Sequence, residues 1–221
     1  PVGMHTNEPN LTSSNYEVPH RIVGSLGATF NFVESSSTTF SFFYEGQSGR
    51  PFSYKGEEGD IDYNGDGDAR NDLIFVFNDA SKVNMVDSEG NNAWDAWTAF
   101  VNQDDALKEY KGKIIDRNAG RQPWRNRLDL RITQKVFDRV ELTFDILNFA
   151  NLLSSDAGKQ EYVRYETVDL LEFTGFADEN DVSSKPTFVF DKDKYTKTED
   201  IYSVDDFGSR WQMLLGLRIN I

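Results

Sequence analysis

The densest run of potential ligands in the sequence is Asp60-Ile61-Asp62-Tyr63-Asn64-Gly65-Asp66-Gly67-Asp68-Ala69-Arg70-Asn71-Asp72. Counted from Asp60, oxygen-bearing side chains fall on alternate positions: Asp60, Asp62, Asn64, Asp66 and Asp68, with Gly65 where such a loop must turn sharply. That spacing suits Ca²⁺, which takes roughly 6–8 oxygens at about 2.3–2.6 Å. Asn71 stands where a helix–loop–helix calcium site carries a bidentate Glu, and Asp72 follows as its substitute. No helical periodicity flanks the run, so an open loop is expected. The candidate ligands are therefore Asp60, Asp62, Asn64, Asp66, Asp68, Asn71 and Asp72, with Ca²⁺ as the candidate cofactor. The competing reading is an acidic surface turn, for which Asp, Asn and Gly are the ordinary residues.

A second candidate lies in Asn92–Tyr110, where Trp94, Trp97 and Val101 recur about one helical turn apart. Trp94 and Trp97 could stack on a sugar or peptide ligand; a loop helix packing its own small core is the bland alternative. Phe173, Phe176, Phe188 and Phe190, around Gly175 and Pro186, predict a loop hairpin packed on itself. Covalent chemistry has little support. The chain has no cysteine and only two histidines, His5 and His20, and its many carboxylates include no pair whose spacing singles it out. No G-x-S-x-G, P-loop or H-E-x-x-H motif is present. No catalytic residue is assigned and the protein is not expected to be an enzyme. A net charge of −14 repels nucleic acid.

The elements that would position these residues are strands. Trp211, Met213, Leu215, Leu217, Ile219 and Ile221 place an apolar side chain on every odd position of the last eleven residues. Eleven residues rise roughly 36 Å, and a ~40–45° tilt reduces that to about 26–28 Å, near the ~25 Å apolar band of an outer-membrane barrel. Four further segments alternate. Ile22, Gly24, Leu26, Ala28, Phe30 and Phe32 share one face; Phe40, Phe42 and Tyr44 share another. Leu128, Leu130 and Ile132 oppose Asp129, Arg131 and Thr133, and Val140, Leu142, Phe144 and Ile146 oppose Glu141, Thr143 and Asp145. No run of about 18 apolar residues marks a spanning helix.

A three-residue loop at Phe137–Arg139 pairs Val136 with Val140. Lys135 then meets Glu141, Thr133 meets Thr143 and Arg131 meets Asp145, while Ile132 meets Phe144 and Leu130 meets Ile146. Charges collect on one face and large apolar groups on the other, so a one-residue slip would carry the charges into lipid. Asp129, Arg131, Glu141 and Asp145 are expected to form an ion-pair ladder in a polar interior, with a substrate path as the sharper alternative. The expected strands run over about 20–33, 38–50, 124–136, 140–150 and 209–221. Their links alternate between short turns and two long acidic loops, about 51–123 and 152–208. Short turns in the periplasm and long loops outside describe an outer-membrane barrel with a periplasmic C-terminus. Five strands are too few, since the smallest such barrels have about 8, and open edges in lipid are costly. The chain is therefore expected to be the C-terminal part of a larger barrel, or to pair with other chains along both edges.

The set Tyr16–Arg21, Phe43–Phe52, Asn64–Gly67, Asn71–Ile74, Arg125–Arg131 and Asp145–Leu152, with the ending Ser209–Ile221, resembles the C-terminal barrel of TonB-dependent outer-membrane receptors from Bacteroidota. The Oar-like branch is nearest, with SusC-like receptors behind it. The resemblance implies an antiparallel transmembrane β-barrel portion, residues 1–221, supplying the last five strands of an about 22-stranded barrel with long extracellular loops. It also implies outer-membrane lipid and lipopolysaccharide around the strands, the remaining barrel and plug as partners, TonB acting through that plug, and a surface lipoprotein lid as a further partner. The implied activity is binding and gated import of a bulky oligosaccharide, peptide or siderophore-like nutrient. Two features depart from the pattern. These residues contain no plug or TonB-contacting segment, and Ile221 stands where barrel proteins usually end in an aromatic. Two other readings stay open: an outer-membrane structural or adhesion protein that binds a partner through its loops, and a secreted calcium-binding β-domain.

Overall fold

The computed structural model describes residues 11–57, 62, 67–68, 71–137, 139–178, 180–181 and 183–220. Its strands are β1 (Arg21–Val33), β2 (Ser36–Gln47), β3 (Pro51–Gly56), β4 (Asn84–Val86), β5 (Gly120–Arg121), β6 (Arg125–Val136), β7 (Val140–Leu147), β8 (Glu161–Tyr162), β9 (Thr167–Phe176), β10 (Pro186–Val189), β11 (Ser203–Val204) and β12 (Gln212–Ile219). Its α-helices are α1 (Trp94–Gln103), α2 (Asp105–Glu109), α3 (Phe149–Leu153) and α4 (Asp206–Ser209), and short 3-10 turns lie at Arg164–Glu166 and Thr198–Ile201. The chain divides into two units: a sheet unit, Val18–Gly49, Pro123–Tyr162 and Val204–Ile221, and a loop unit, Pro1–Glu17, Arg50–Gln122 and Val163–Ser203.

The sheet unit is an antiparallel sheet in the order β1-β2-β6-β7-β12. Among the described residues β1 and β12 are each paired on one side only, so the sheet is open. The β6–β7 register is the predicted one, with Val136 opposite Val140, Arg131 opposite Asp145 and Ile132 opposite Phe144. Phe137 takes a left-handed φ of 52° in the turn, and the Arg139 amide donates to the Val136 carbonyl at 3.3 Å.

Several boundaries differ from the sequence pattern; β2 ends at Gln47 rather than about 50, β12 at Ile219 rather than 221, and three other ends have an evident cause. β2 starts at Ser36 rather than about 38, because the polar run Ser36–Thr39 still pairs: Ser36 Oγ donates to the Lys135 carbonyl at 3.0 Å, and the Thr29 and Thr39 hydroxyls are 2.9 Å apart. β7 ends at Leu147 because Asn148 turns left-handed (φ 50°) into α3. The last strand starts at Gln212 because Asp205 caps α4, accepting from the Gly208 amide at 2.9 Å.

Most of the two segments expected as long loops, Arg50–Gln122 and Val163–Ser203, fold together in the loop unit, while 152–162 and 204–208 belong to the sheet unit. β4-β10-β9-β3-β5 form a mixed sheet in which β3 and β9, and β4 and β10, run parallel. Antiparallel β9 and β10 form the predicted hairpin, with the Phe173 ring packed on Phe176 and Phe188. Helix α1 turns Trp97, Phe100 and Val101 inward, the i, i+3, i+4 stripe of a one-sided helix. They meet Phe52, Tyr54, Leu107, Ile115 and Phe190 in the core. The Phe190 ring lies 5.6 Å from both Trp97 and Phe100, contacts that contribute about 0.5–1.5 kcal/mol each beyond area burial. Asp104 ties helix to sheet: its Oδ1 accepts from the Leu107 amide at 2.8 Å and its Oδ2 from the Tyr54 hydroxyl at 2.5 Å. Burial first, and the Asp104 carboxylate second, push the Tyr54 phenol far above its ordinary range.

Candidate functional site

Strand alternation gives the five-stranded sheet two unlike faces. One carries rows that cross every strand: Ala28, Phe40, Ile132, Phe144 and Leu215, and next to it Leu26, Phe42, Leu130, Ile146 and Met213. Leu26, Phe32, Leu215, Leu217 and Ile219 are all at least 60% exposed, an apolar surface that needs a covering phase. Aromatic groups border it. At the loop end the Tyr44 hydroxyl and the Trp124 indole N–H both donate to Asn126 Oδ1, at 2.7 and 3.0 Å, and Trp211 shares the parity of Met213. At the turn end Phe30 stacks on Phe32. Gly24, in the Tyr44 row, and Phe32 are eight residues apart along β1. That is about 26 Å of strand between the two aromatic borders.

The opposite face is polar. The Arg131 guanidinium grips Asp145 with two donors, its Nη2 lying 2.9 Å from Oδ2. Lys135, Glu141 and Arg218 share one row. Asp129 accepts from the Arg127 Nε at 2.9 Å and the Asn148 amide at 2.8 Å. The structure thus brings Arg131 and Asp145 together as a pair, places Glu141 in the Lys135 row, and gives Asp129 a positioning role at the start of α3. Midway along this face runs a row of small side chains: Thr29, Thr39, Thr133, Thr143 and Gly216. A Cβ on Gly216 would collide with the Thr143 hydroxyl.

Of the calcium candidates, Asp60, Asn64 and Asp66 lie outside the described residues. Asp62 accepts from the Gly67 amide at 2.6 Å, and the Asn71 amide donates to the Asp68 carbonyl at 3.3 Å. Asp72 is fully buried. The described residues contain no group of three acidic or histidine side chains placed to hold a metal. The tryptophan pair splits, and one member is corrected. Trp97 is completely buried, its indole N–H donating to the Phe77 carbonyl at 2.9 Å, so it has no face for a ligand. The helical spacing that suggested a stacking pair is the spacing of a core stripe. Trp94, one turn earlier, is half-buried and lines a hollow of about 410 Å³ with Asn84, Met85, Asn92 and Lys185.

A second hollow, of about 420 Å³, is lined by Phe52, Asp104, Asp105, Glu109, Arg121 and Tyr202. Two ion pairs had no signature in the sequence. Lys55 is buried against Asp169 at 2.9 Å, and Asp87, also buried, meets the Lys192 ammonium at 2.6 Å. The Lys192 ammonium, then the amides of Asn91 and Glu89, hold the Asp87 carboxyl down at about 2 against the opposing effect of burial. Each pair joins loop segments far apart in the chain, so only the parallel strand pairings reveal them.

Among the described residues no helix is long and apolar enough to cross a membrane, which leaves spanning by strands untouched. Set against known proteins, the chain matches no family model, no curated protein and no solved structure.

Proposed function

We propose that these residues are the last strands and outer loops of a larger, about 22-stranded outer-membrane barrel, belonging to a TonB-dependent receptor that captures and imports a bulky nutrient. The observation that carries this reading is the unlike pair of sheet faces: five strands wide, apolar and aromatic-rimmed on one side, ion-paired and threonine-lined on the other. Lipid is the phase that would cover the first face, and a water-filled interior the phase that would solvate the second. Connectivity adds support. β2 ends and β6 begins at the paired residues Gln47 and Arg125, and β7 ends and β12 begins at Leu147 and Gln212. Both long insertions therefore leave the sheet at one end, which in this reading faces the outside. The unpaired edges of β1 and β12 are where the rest of the barrel would add. The loop unit, with its own core, is the vestibule wall; no covalent chemistry is assigned. That same core favours one second reading, a surface protein whose folded loops bind another protein.

These 221 residues hold no cysteine, so an introduced one reports its own position once any cysteine elsewhere in the larger protein is replaced. Single variants Glu109→Cys in the loop unit and Leu215→Cys on the apolar face are treated with a membrane-impermeant maleimide in intact cells. Labelling at 109 and protection at 215 is the expected result. Labelling of both, or of neither until the cells are lysed, overturns the outer-membrane reading. Uptake that persists without TonB removes the transporter reading and leaves the surface-binding one.

A further inference from the structure

The hollow beside Trp94 lies wholly within the loop unit. Its floor is the buried pair Val83 and Met85, and its volume of about 410 Å³ falls in the range of small-molecule sites. The polar groups on its wall are only partly used by the fold. Asn92 Oδ1 accepts from the Trp94 amide at 2.9 Å, which leaves its Nδ2. Asn84 Nδ2 donates to the Thr187 hydroxyl at 3.3 Å, which leaves its Oδ1. Lys185 is exposed and makes no ion pair among the described residues. The nearby Asp79 carboxyl is held low, chiefly by Ser81 and more weakly by Lys82 and Lys185. Lys185 is the one charged residue among the described residues lining the hollow, in a chain whose net charge is −14. A lining ammonium that makes no ion pair among the described residues offers an anion an attractive contact on an otherwise anionic protein.

The other groups define that anion further. A half-buried indole offers a flat apolar face of the kind that stacks on a ring. Two carboxamides, one with a donor left and one with an acceptor left, match a ring bearing hydroxyls, since each hydroxyl both donates and accepts. An ammonium at the rim matches a carboxylate and forms the stronger, charge-assisted hydrogen bond. We propose that the hollow formed by Trp94, Asn84, Asn92 and Lys185 binds a carboxylate-bearing pyranose, a uronic-acid residue of an acidic polysaccharide. Trp94 stacks on the ring, Asn84 and Asn92 take its hydroxyls, and Lys185 takes the carboxylate. Parallel pairing of β4 with β10 brings the site together, by setting Asn84 opposite Thr187 two residues beyond Lys185. The assignment goes beyond the receptor reading and does not rest on it, because a folded loop unit can hold this sugar whether or not the barrel transports it.

The test is calorimetry on the whole protein in detergent, titrated with a galacturonate trisaccharide and with the neutral galactose trisaccharide. The wild type is expected to bind the acidic sugar at least about tenfold more tightly, the value of one charge-assisted contact. Lys185→Gln should abolish that preference while leaving the neutral sugar unchanged, and Lys185→Arg should keep most of it. Trp94→Ala should weaken both sugars together. Because Lys185 is exposed, its variants leave the core untouched, and an unchanged unfolding midpoint verifies that. No binding of the acidic trisaccharide at millimolar concentration, or a preference unchanged in Lys185→Gln, overturns the proposal. Binding without TonB-dependent uptake would refute the transporter reading and leave this site standing.

Discussion

A single arginine moved along and across β12 reads out the environment of the sheet. Leu215 lies in the row of Ala28, Phe40, Ile132 and Phe144. Along β1, Ala28 is four residues from Gly24 in the Tyr44 row and four from Phe32, so this row sits midway between the aromatic rims. Four residues of tilted strand are ~10 Å of height, which puts Leu215 near the midplane of an apolar band. Leu215→Arg should therefore cost about 2–4 kcal/mol, a ~30- to 700-fold fall in the folded-to-unfolded ratio. Ile219, four residues toward the turn end on the same face, should cost about 0–1 kcal/mol as Arg, because a side chain there reaches the headgroups. Leu214 points to the polar face opposite Asp145, and Leu214→Arg should cost close to nothing. The assay is urea unfolding, in phospholipid vesicles, of the protein that carries this chain, comparing midpoints at constant m. Equal costs at 214 and 215, or a flat profile from 215 to 219, would refute lipid as the covering phase. The flat profile is what a second protein layer would produce.

Trp97→Ala removes the largest fully buried side chain among the described residues and should destabilise the loop unit by about 3–5 kcal/mol, whereas Trp94→Ala should cost much less; amide hydrogen exchange across α1 and β10 distinguishes them. Asp87 carries an acid-stability effect. Its folded value, about 2, lies below the ordinary 3.8, so its contribution is whole above about pH 4 and is lost as pH falls through 2. Asp87→Asn should flatten acid unfolding of the loop unit over that window, and an unchanged curve would remove the Lys192 pair from the account. Gly158 takes φ +68°, and a Cβ there would strike Asn148 Oδ1. Gly158→Ala should lower sheet-unit stability by on the order of 1–3 kcal/mol, and a loss below about 0.5 kcal/mol would contradict the packing around α3. The calcium reading of Asp60–Asp72 predicts a heat of binding when chelated protein is titrated with millimolar Ca²⁺, and no heat would leave the acidic surface turn.

The sheet unit was legible because one rule governs it. Period-two alternation assigns Leu130 and Ile132 to one face and Asp129 and Arg131 to the other, and complementary charge then permits one register. The strand ends were not legible, because they depend on single residues such as Asn148 and Asp205 that trade strand pairing for turns and caps. The loop unit hid for a different reason. Its sheet depends on parallel pairings such as Ser53 with Thr167, between segments with no local signal that they meet. The tryptophan spacing is that of helix α1, but spacing alone does not say which turn of a helix faces inward. Trp97 is in the core, where Phe190, the residue after β10, packs on its ring, while Trp94 lines the hollow.

The row of four threonines and a glycine has a mechanical consequence. At the same height on the reverse side stand Phe40, Ile132, Phe144 and Leu215, so the sheet is thick-set on one side of its waist and slender on the other. A layer loaded in this way bends more easily toward its slender side. These strands therefore carry their own direction of curl, toward the polar face. The glycine of that row, Gly216, lies in β12, at one edge of the sheet, so the slender side is thinnest there.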